Sequence, residues 1–212
     1  MPNLLVRNVI LASDTSQTPC DILIEDRRIR NIQPAGQIKT ENSEVLDCPD
    51  LVALTSPLDN HVHFREPGPS AYKEGWRSGS EAALTGGVTG VIEVQNSTPY
   101  LDNMDALRAK RTLVERESCV DFGFYATVTA DNLDSLSALH PHVFGYKVFM
   151  GASTGNLAVK DPGMLRAVGE LCNDTGIPMI VHAERRRPFL RNTPSCSPHP
   201  RTTISFARPK PR

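Results

Sequence analysis

The segment His61-Val62-His63-Phe64-Arg65-Glu66-Pro67-Gly68 constrains this chain more than any other. Side chains alternate across a β-strand with a period of two, so His61 and His63 project from one face if the segment is extended. Two imidazoles side by side bind one metal ion, and Arg65 on the same face adds a planar cation suited to a carboxylate. The alternative is a surface strand that carries two histidines by chance.

Residues 55–184 alternate between short apolar runs and helical stretches. The apolar runs predict five strands, at 58–64, 88–94, 120–128, 144–150 and 177–182. Helices are predicted between them, at 70–85, near 103–117, from about 131, and from Asp161-Pro162 to Thr175-Gly176. Strand–helix alternation with short links predicts a parallel sheet with helical crossovers.

The polar side chains that are candidates for chemistry lie late in these strands or just after them. They are His61, His63, Arg65, Asn96, Lys147 and His182. The C-terminal ends of the strands form the active site in a β/α barrel, and a doubly wound sheet also places its site residues there. The glycine-rich phosphate loop of a doubly wound fold is absent after the first of these strands, which favours the barrel.

Three of the candidates also have ordinary structural interpretations. Lys147 lies on an apolar strand, where the pKa of an amine falls and the neutral form reacts with CO₂; the alternative is a lysine that reaches solvent at the strand end. His182, taken alone, is more often a hydrogen-bonded core histidine than a metal ligand. Asn96 alone is equally a turn residue ahead of Pro99.

Residues 1–54 predict a small strand-rich unit. Apolar runs at 3–11 and 44–54 flank a hairpin at 21–32 that turns at residues 25–28. A unit of this size buries too little apolar surface to fold alone, so it needs strands or a partner from elsewhere.

The charge of the chain is divided unevenly. Residues 1–184 hold all 24 acidic residues against 15 Lys and Arg, a net −9, whereas residues 185–212 hold 8 Lys and Arg, no acid and six prolines. We interpret 185–212 as a disordered or frameshifted end; the alternative is a basic arm for nucleic acid. Otherwise the composition indicates no partner of nucleic acid or membrane. Five scattered cysteines without CxxC spacing indicate reduced thiols and a cytoplasmic protein.

The chain resembles the dihydroorotase branch of the cyclic amidohydrolases, over roughly residues 1–184. The resemblance rests on four segments in the same order: His61–Gly68 with the Gly86-Gly87-Val88-Thr89 helix exit, 94–99, 145–151 and 181–184. It implies an α/β fold, a partial TIM (β/α) barrel with about five of eight strands, preceded by a small β-sandwich segment. Residues 1–54 would then be part of the sandwich domain, and 55–184 the first half of the barrel.

The resemblance also implies roles for the candidates. His61 and His63 would hold one zinc ion, carboxylated Lys147 would bridge two, and His182 would bind the second; Arg65 and Asn96 would hold the substrate carboxylate. The implied reaction is the reversible, metal-dependent hydrolysis of dihydroorotate to N-carbamoyl-aspartate, a step of pyrimidine biosynthesis. Members of this family are often homo-oligomers.

The chain departs from the family pattern in ways that affect activity. The approach to the histidine pair, Pro57-Leu58-Asp59, is two residues shorter than the family's. A barrel of this type needs about 250 residues and eight strands, and the catalytic aspartate and a further metal-binding histidine of the family have no counterpart in this chain. We therefore expect it to be inactive alone and not to be a stable monomer. The alternatives are a non-catalytic fragment or assembly partner, and a hydantoinase- or allantoinase-type cyclic amidase.

Overall fold

In the computed structural model, described for residues 3–151 (except 14 and 16) and 157–183, two separate sheets form. The first contains β1 (Asn3–Leu11), β2 (Pro19–Glu25), β3 (Arg28–Pro34), β4 (Ser43–Asp47) and β5 (Val52–Ala53). The order is β3-β2-β1-β4, with β5 also paired to β1; β2 is antiparallel to its neighbours, and β4 and β5 run parallel to β1.

The predicted hairpin of this sheet is confirmed as β2 and β3, which turn at two residues. Asp26 and Arg27 both have positive φ, 48° and 64°, the combination that matches the right-handed twist of the flanking strands. The buried carboxylate of Asp21 accepts hydrogen bonds from the backbone N–H groups of Asn8 and Gly36. It thereby joins the bulge of β1 to the turn after β3.

The second sheet is parallel and is built from β6 (Leu58–Val62), β7 (Gly90–Glu93), β8 (Asp121–Thr127), β9 (Gly145–Phe149) and β10 (Met179–His182). Its order, β10-β9-β8-β7-β6, follows the chain. The connections carry α1 (Trp76–Thr85), α2 (Met104–Glu117), α3 (Leu133–Leu139) with a short 3₁₀ helix at His140–His142, and α4 (Pro162–Thr175). The predicted fold class, a partial β/α barrel after a strand-rich segment, is confirmed.

Alternation along these strands separates two apolar layers. Val91, Phe124 and Val148 pack outward against the helices in the larger cluster. The smaller cluster contains Ile92, Val94 and Tyr125, with Ile180 against it. Residues one position apart therefore face opposite sides of the sheet, which is why site residues and helix-packing residues can share one strand.

The helices begin and end at the residues that cap them, and the predicted start of the first helix was wrong. Asn103 caps α2 through the N–H groups of Asp105 and Ala106, and Asp161 caps α4, which ends at left-handed Gly176 (φ 73°). The first helix was predicted from residue 70 but begins at Trp76, because residues 70–73 form turns and the Glu66 carboxylate accepts the Trp76 N–H at 2.8 Å. A carboxylate from outside the helix thus satisfies its first donor.

Both edges of the parallel sheet carry exposed apolar side chains. Leu58 on β6 is 55 % exposed and Val181 on β10 is 42 % exposed. Within the described residues, no helix combines the length and apolar character needed to cross a membrane.

Candidate active site

The carboxyl ends of the parallel strands border a cavity of about 300 Å³. All six predicted site residues line it, together with two that the sequence analysis missed; the lining residues are His61, His63, Arg65, Asn96, Lys147, Phe149, Val181 and His182. Polar groups separated by up to 121 positions in the sequence, from 61 to 182, therefore meet in one place because parallel strands end at the same edge.

The histidine pair lies at the end of β6. The ring centroids of His61 and His63 are 5.1 Å apart, with the rings nearly perpendicular. The Nδ1 atom of His63 lies 2.6 Å from the carbonyl oxygen of Val94, so Nδ1 carries the proton and Nε2 keeps its lone pair. Orientation of an imidazole through its second nitrogen is the usual arrangement at metal-binding histidines. Burial is the main cause that lowers the pKa of His63, against the Val94 hydrogen bond, which raises it.

Arg65 reaches the cavity by a different route from the one predicted. Strand β6 ends at Val62, and Arg65 has a left-handed backbone, φ 60°, so simple alternation does not place it. The chain turns there and is held by Thr98, whose N–H donates to the Pro67 carbonyl at 2.8 Å. In the part of the chain that the structure describes, the Arg65 guanidinium forms no salt bridge or hydrogen bond. It is therefore available to an anionic ligand.

Phe64 anchors the segment between the histidines and Arg65. Its buried ring meets the Trp76 ring edge-on, with centroids 4.8 Å apart. It also lies where a side chain at Gly79 of α1 would stand, since a Cβ at Gly79 would overlap the Phe64 ring. The absence of a side chain at Gly79 thus lets α1 approach the segment that carries the site.

Asn96 follows β7 in a loop whose neighbours are firmly held. The side chains of Gln95 and Ser97 on either side are buried and hydrogen-bonded to each other at 2.7 Å, and Gln95 also donates to the Pro99 carbonyl at 3.1 Å. Asn96 itself is half-buried and faces the cavity. Asn96 therefore belongs to a turn and also lines the cavity, so its two interpretations are compatible.

Lys147 is enclosed. The residue is 4 % exposed, and Nζ lies 5.0 Å from the centroid of the Phe149 ring. Burial lowers the pKa of Lys147 below its usual 10.5, in the direction predicted from its apolar strand. The alternative, a lysine that extends to solvent, is inconsistent with this burial.

His182 ends β10, the last described strand, beside Lys147 on β9. The register pairs Ile180 with Lys147 and His182 with Phe149, and the His182 and Phe149 rings are 6.2 Å apart. Phe149 thus lies near both Lys147 and His182 and adds apolar surface to the cavity. Its signal in the sequence was its position two residues after Lys147, on the same face of the strand.

The donor chemistry of the site suits a metal only if Lys147 is modified. Among the described residues, no group of three or more His, Cys, Asp or Glu side chains could hold a metal ion. Three imidazoles, of His61, His63 and His182, and an amine with a lowered pKa are present in the cavity. Carboxylation of that amine would add an anionic oxygen ligand of the kind that zinc accepts alongside histidine.

No protein-family model matches the chain. It is 32 % identical over 207 residues to a dihydroorotase of Methanosarcina mazei, which covers 94 % of this chain and 44 % of that protein. It is 33 % identical over 146 residues to the mitochondrial allantoinase of Aquarana catesbeiana, which covers 68 % and 30 %. The solved structure of an L-hydantoinase from Arthrobacter aurescens superposes with a TM-score of 0.76 at 28 % identity, over 87 % of this chain and 41 % of the other.

The chain spans less than half the length of these relatives. Residues 1–184 are 184 of the 212 residues, which is less than 94 % of the chain. The match to the M. mazei protein, which covers 94 % of the chain, therefore extends into the segment after residue 184. That segment, for which the sequence analysis expects a disordered or frameshifted end, lies outside the described residues.

Proposed function

We propose that this chain, which belongs to the cyclic amidohydrolases, supplies the first half of a dihydroorotase active site. The observation that carries the proposal is the single cavity that joins His61, His63, Lys147 and His182 to Arg65 and Asn96. The first four of these residues suit a metal-assisted hydrolysis. An anionic substrate is suited by the other two, Arg65 and Asn96.

In this proposal the zinc ions would be held by His61, His63, carboxylated Lys147 and His182. The metals, when bound, supply Lewis acidity toward a ring carbonyl and activation of water. The chain's own contribution is positional: the Val94 carbonyl holds the His63 tautomer, and burial keeps the Lys147 amine reactive toward CO₂.

Arg65 and Asn96 determine which cyclic amide enters. A guanidinium binds a carboxylate through two parallel hydrogen bonds, which fixes the orientation of the ring as well as its charge. Dihydroorotate carries such a carboxylate. Its hydrolysis breaks the ring amide C–N bond; water supplies the oxygen to the carbonyl carbon and the proton to the nitrogen, which yields N-carbamoyl-aspartate.

We also propose a domain arrangement, a cellular compartment and an assembly state for this protein. Residues 1–54 form part of a β-sandwich domain, and 55–184 form the first half of the barrel. The protein is cytoplasmic, acts on a small molecule rather than on nucleic acid or a membrane, and assembles as a homo-oligomer.

A second candidate function is hydrolysis of an uncharged cyclic amide. The similarity to an allantoinase and to an L-hydantoinase favours it, whereas the guanidinium of Arg65, which lines the cavity without an ion-pair partner among the described residues, favours an anionic substrate. A third candidate is a non-catalytic role as an assembly partner, which the exposed apolar side chains on the two edge strands of the parallel sheet favour.

Fragment complementation separates these three. The chain is mixed with the part of the M. mazei dihydroorotase beyond the segment that it matches, in zinc and bicarbonate, and dihydroorotate, hydantoin and allantoin are assayed. We expect dihydroorotate turnover in the mixture, above either part alone and above a mixture with His61→Ala. Turnover of hydantoin or allantoin alone would establish the second function. A complex that forms but turns over none of the three would establish the third.

A further inference from the structure

A buried ion pair lies beneath the loop that carries Asn96. Glu93, at the end of β7, is 0 % exposed, and its carboxylate contacts the ammonium of Lys110 on α2, which is 4 % exposed. Lys110 also donates from Nζ to the Ser97 hydroxyl at 2.5 Å. Neither Glu93 nor Lys110 lines the cavity. The pair instead occupies the helix side of the sheet, where Nζ lies 5.9 Å from the ring centroids of Trp76 and Phe124.

The contacts of this pair lead to both halves of the site. Ser97, which Lys110 holds, directly follows Asn96, and Gln95 on the other side donates to the same hydroxyl. The next residue, Thr98, donates to Pro67 in the segment after Arg65. Lys110 is therefore connected, through one hydroxyl, to the loop that presents Asn96 and that holds the turn of Arg65.

Stability does not explain why charges are used here. Replacement of a buried ion pair by apolar residues of similar volume is often neutral or stabilising, because removing two charges from water is costly. Here the cost is not fully compensated. Within the described residues, neither carboxylate oxygen of Glu93 has a hydrogen-bond partner besides the ion-pair contact with Lys110, and the Gln95 side-chain oxygen has none. What the ammonium adds is direction, because it donates to a hydroxyl and a carboxylate at the same time.

We propose that Lys110, held by Glu93, is a positioning residue that fixes the loop from Val94 to Pro99 and thereby orients Asn96 and Arg65 toward the substrate carboxylate. The part that concerns the substrate rests on the proposed function. The part that concerns the loop does not, because it follows from the contacts alone.

The loop is tested by amide hydrogen exchange in the 212-residue chain. The double variant Glu93→Leu/Lys110→Met removes the pair without leaving one charge unpaired. We expect the Thr98 amide, which donates to Pro67, to exchange at least about tenfold faster, while the Tyr146 amide, which donates to Pro178 in the distant β9–β10 region, is unchanged.

Ser97→Ala is the second variant, because it removes only the hydroxyl and leaves the ion pair in place; it should loosen the same amide. Arg108→Met on the same helix, which removes an exposed ion pair with Asp105, should leave it unchanged. Unchanged Thr98 exchange in both test variants, or an equal acceleration at Tyr146, would overturn the proposal, since the pair would then be inert or merely structural.

The substrate part is tested in the complemented enzyme. Ser97→Ala should raise the KM for dihydroorotate several-fold with a smaller change in kcat, because the loop binds the substrate and does not react. A faster Thr98 exchange with an unchanged KM would overturn the substrate part alone. If the unmodified mixture is inactive, the proposed function fails while the exchange result still decides the role of the loop.

Discussion

The Nδ1 atom of His63 lies 2.6 Å from the carbonyl oxygen of Val94, so a backbone group directly after β7 selects the tautomer of a histidine directly after β6. The same two strands are joined in the opposite direction by the Val94 N–H, which donates to Val62 at 2.9 Å. The orientation of the candidate metal ligand is therefore set by the pairing of β6 with β7. A ligand oriented by backbone needs no further side chain to hold it.

Metal binding should depend on Lys147 and on bicarbonate. Because the described His, Cys, Asp and Glu residues provide no three-ligand group, we expect Lys147→Ala in the complemented enzyme to reduce bound zinc from the roughly two ions of a binuclear site. Acetate or propionate should partly restore it by replacing the carbamate. Zinc is measured by elemental analysis, with Lys160→Ala on a surface loop as the control. Unchanged zinc in Lys147→Ala would show that Lys147 is only structural.

Ring specificity should depend on Arg65. In the complemented enzyme, Arg65→Met should lose most dihydroorotate turnover, by about a hundredfold or more in kcat/KM, since a charge-assisted bidentate pair is lost. Zinc content should remain unchanged, because the arginine is not a ligand. Arg65→Lys keeps the charge without the planar fork and should recover only part of the loss. Unaltered kinetics in Arg65→Met would contradict the assignment of dihydroorotate.

Gly79 should be intolerant of a methyl group. A Cβ there would overlap the buried Phe64 ring, so Gly79→Ala should lower the free energy of unfolding by about 1–3 kcal/mol, although alanine is the better helix former. Gly169→Ala on α4 is the matched control, because a Cβ there has no atom within 4 Å; it should stabilise by up to about 1 kcal/mol. Urea denaturation measures both. Equal effects at the two positions would show that Phe64 yields easily.

The penalty of breaking the buried pair should depend on pH. Lys110→Met leaves Glu93 unpaired and should cost about 3–5 kcal/mol near neutral pH. Burial raises the pKa of Glu93 above its usual 4.5, against the attraction of Lys110, so losing Lys110 raises this pKa further.

The direction of this pH dependence follows from whether the folded or the unfolded state holds a proton on Glu93. In Lys110→Met, the folded state keeps a proton on Glu93 over a pH range above 4.5 in which the unfolded state has released it, and this contribution is lost as pH rises through the folded pKa. The penalty should therefore be smaller at about pH 5 than at about pH 8, as measured by urea denaturation of Lys110→Met against the unmodified chain. A penalty that grows toward acid pH would contradict the raised pKa of Glu93.

The chain alone should be inactive and should self-associate. Leu58 and Val181 expose apolar surface on the two edge strands, and unpaired strand edges favour pairing with another chain. Sedimentation should show species larger than a monomer, reduced by addition of the complementing fragment. A cooperatively unfolding monomer with dihydroorotate turnover above that of His61→Ala would show that the site is sufficient without its second half.

The sequence by itself determined the fold class, and it predicted the six polar side chains that line the cavity. Local signals were strong where the physical constraint was local, as at the caps Asn103 and Asp161, and at the positive-φ turn of β2 and β3. The site residues could be predicted together because strand ends in a parallel sheet share one edge, which alternation of strands and helices reveals without coordinates.

The tertiary structure decided what depended on contacts distant in sequence. Helix α1 starts at Trp76 because a carboxylate ten positions earlier caps it, and Arg65 faces the cavity through a left-handed turn rather than through alternation. Phe149 lies beside His182 in the site because β9 pairs with β10. The Glu93–Lys110 pair could not be predicted from the sequence, because a charged residue on a strand and another on a helix are each common. Only the packing shows that both are buried and that the Ser97 hydroxyl connects them to the loop of Asn96.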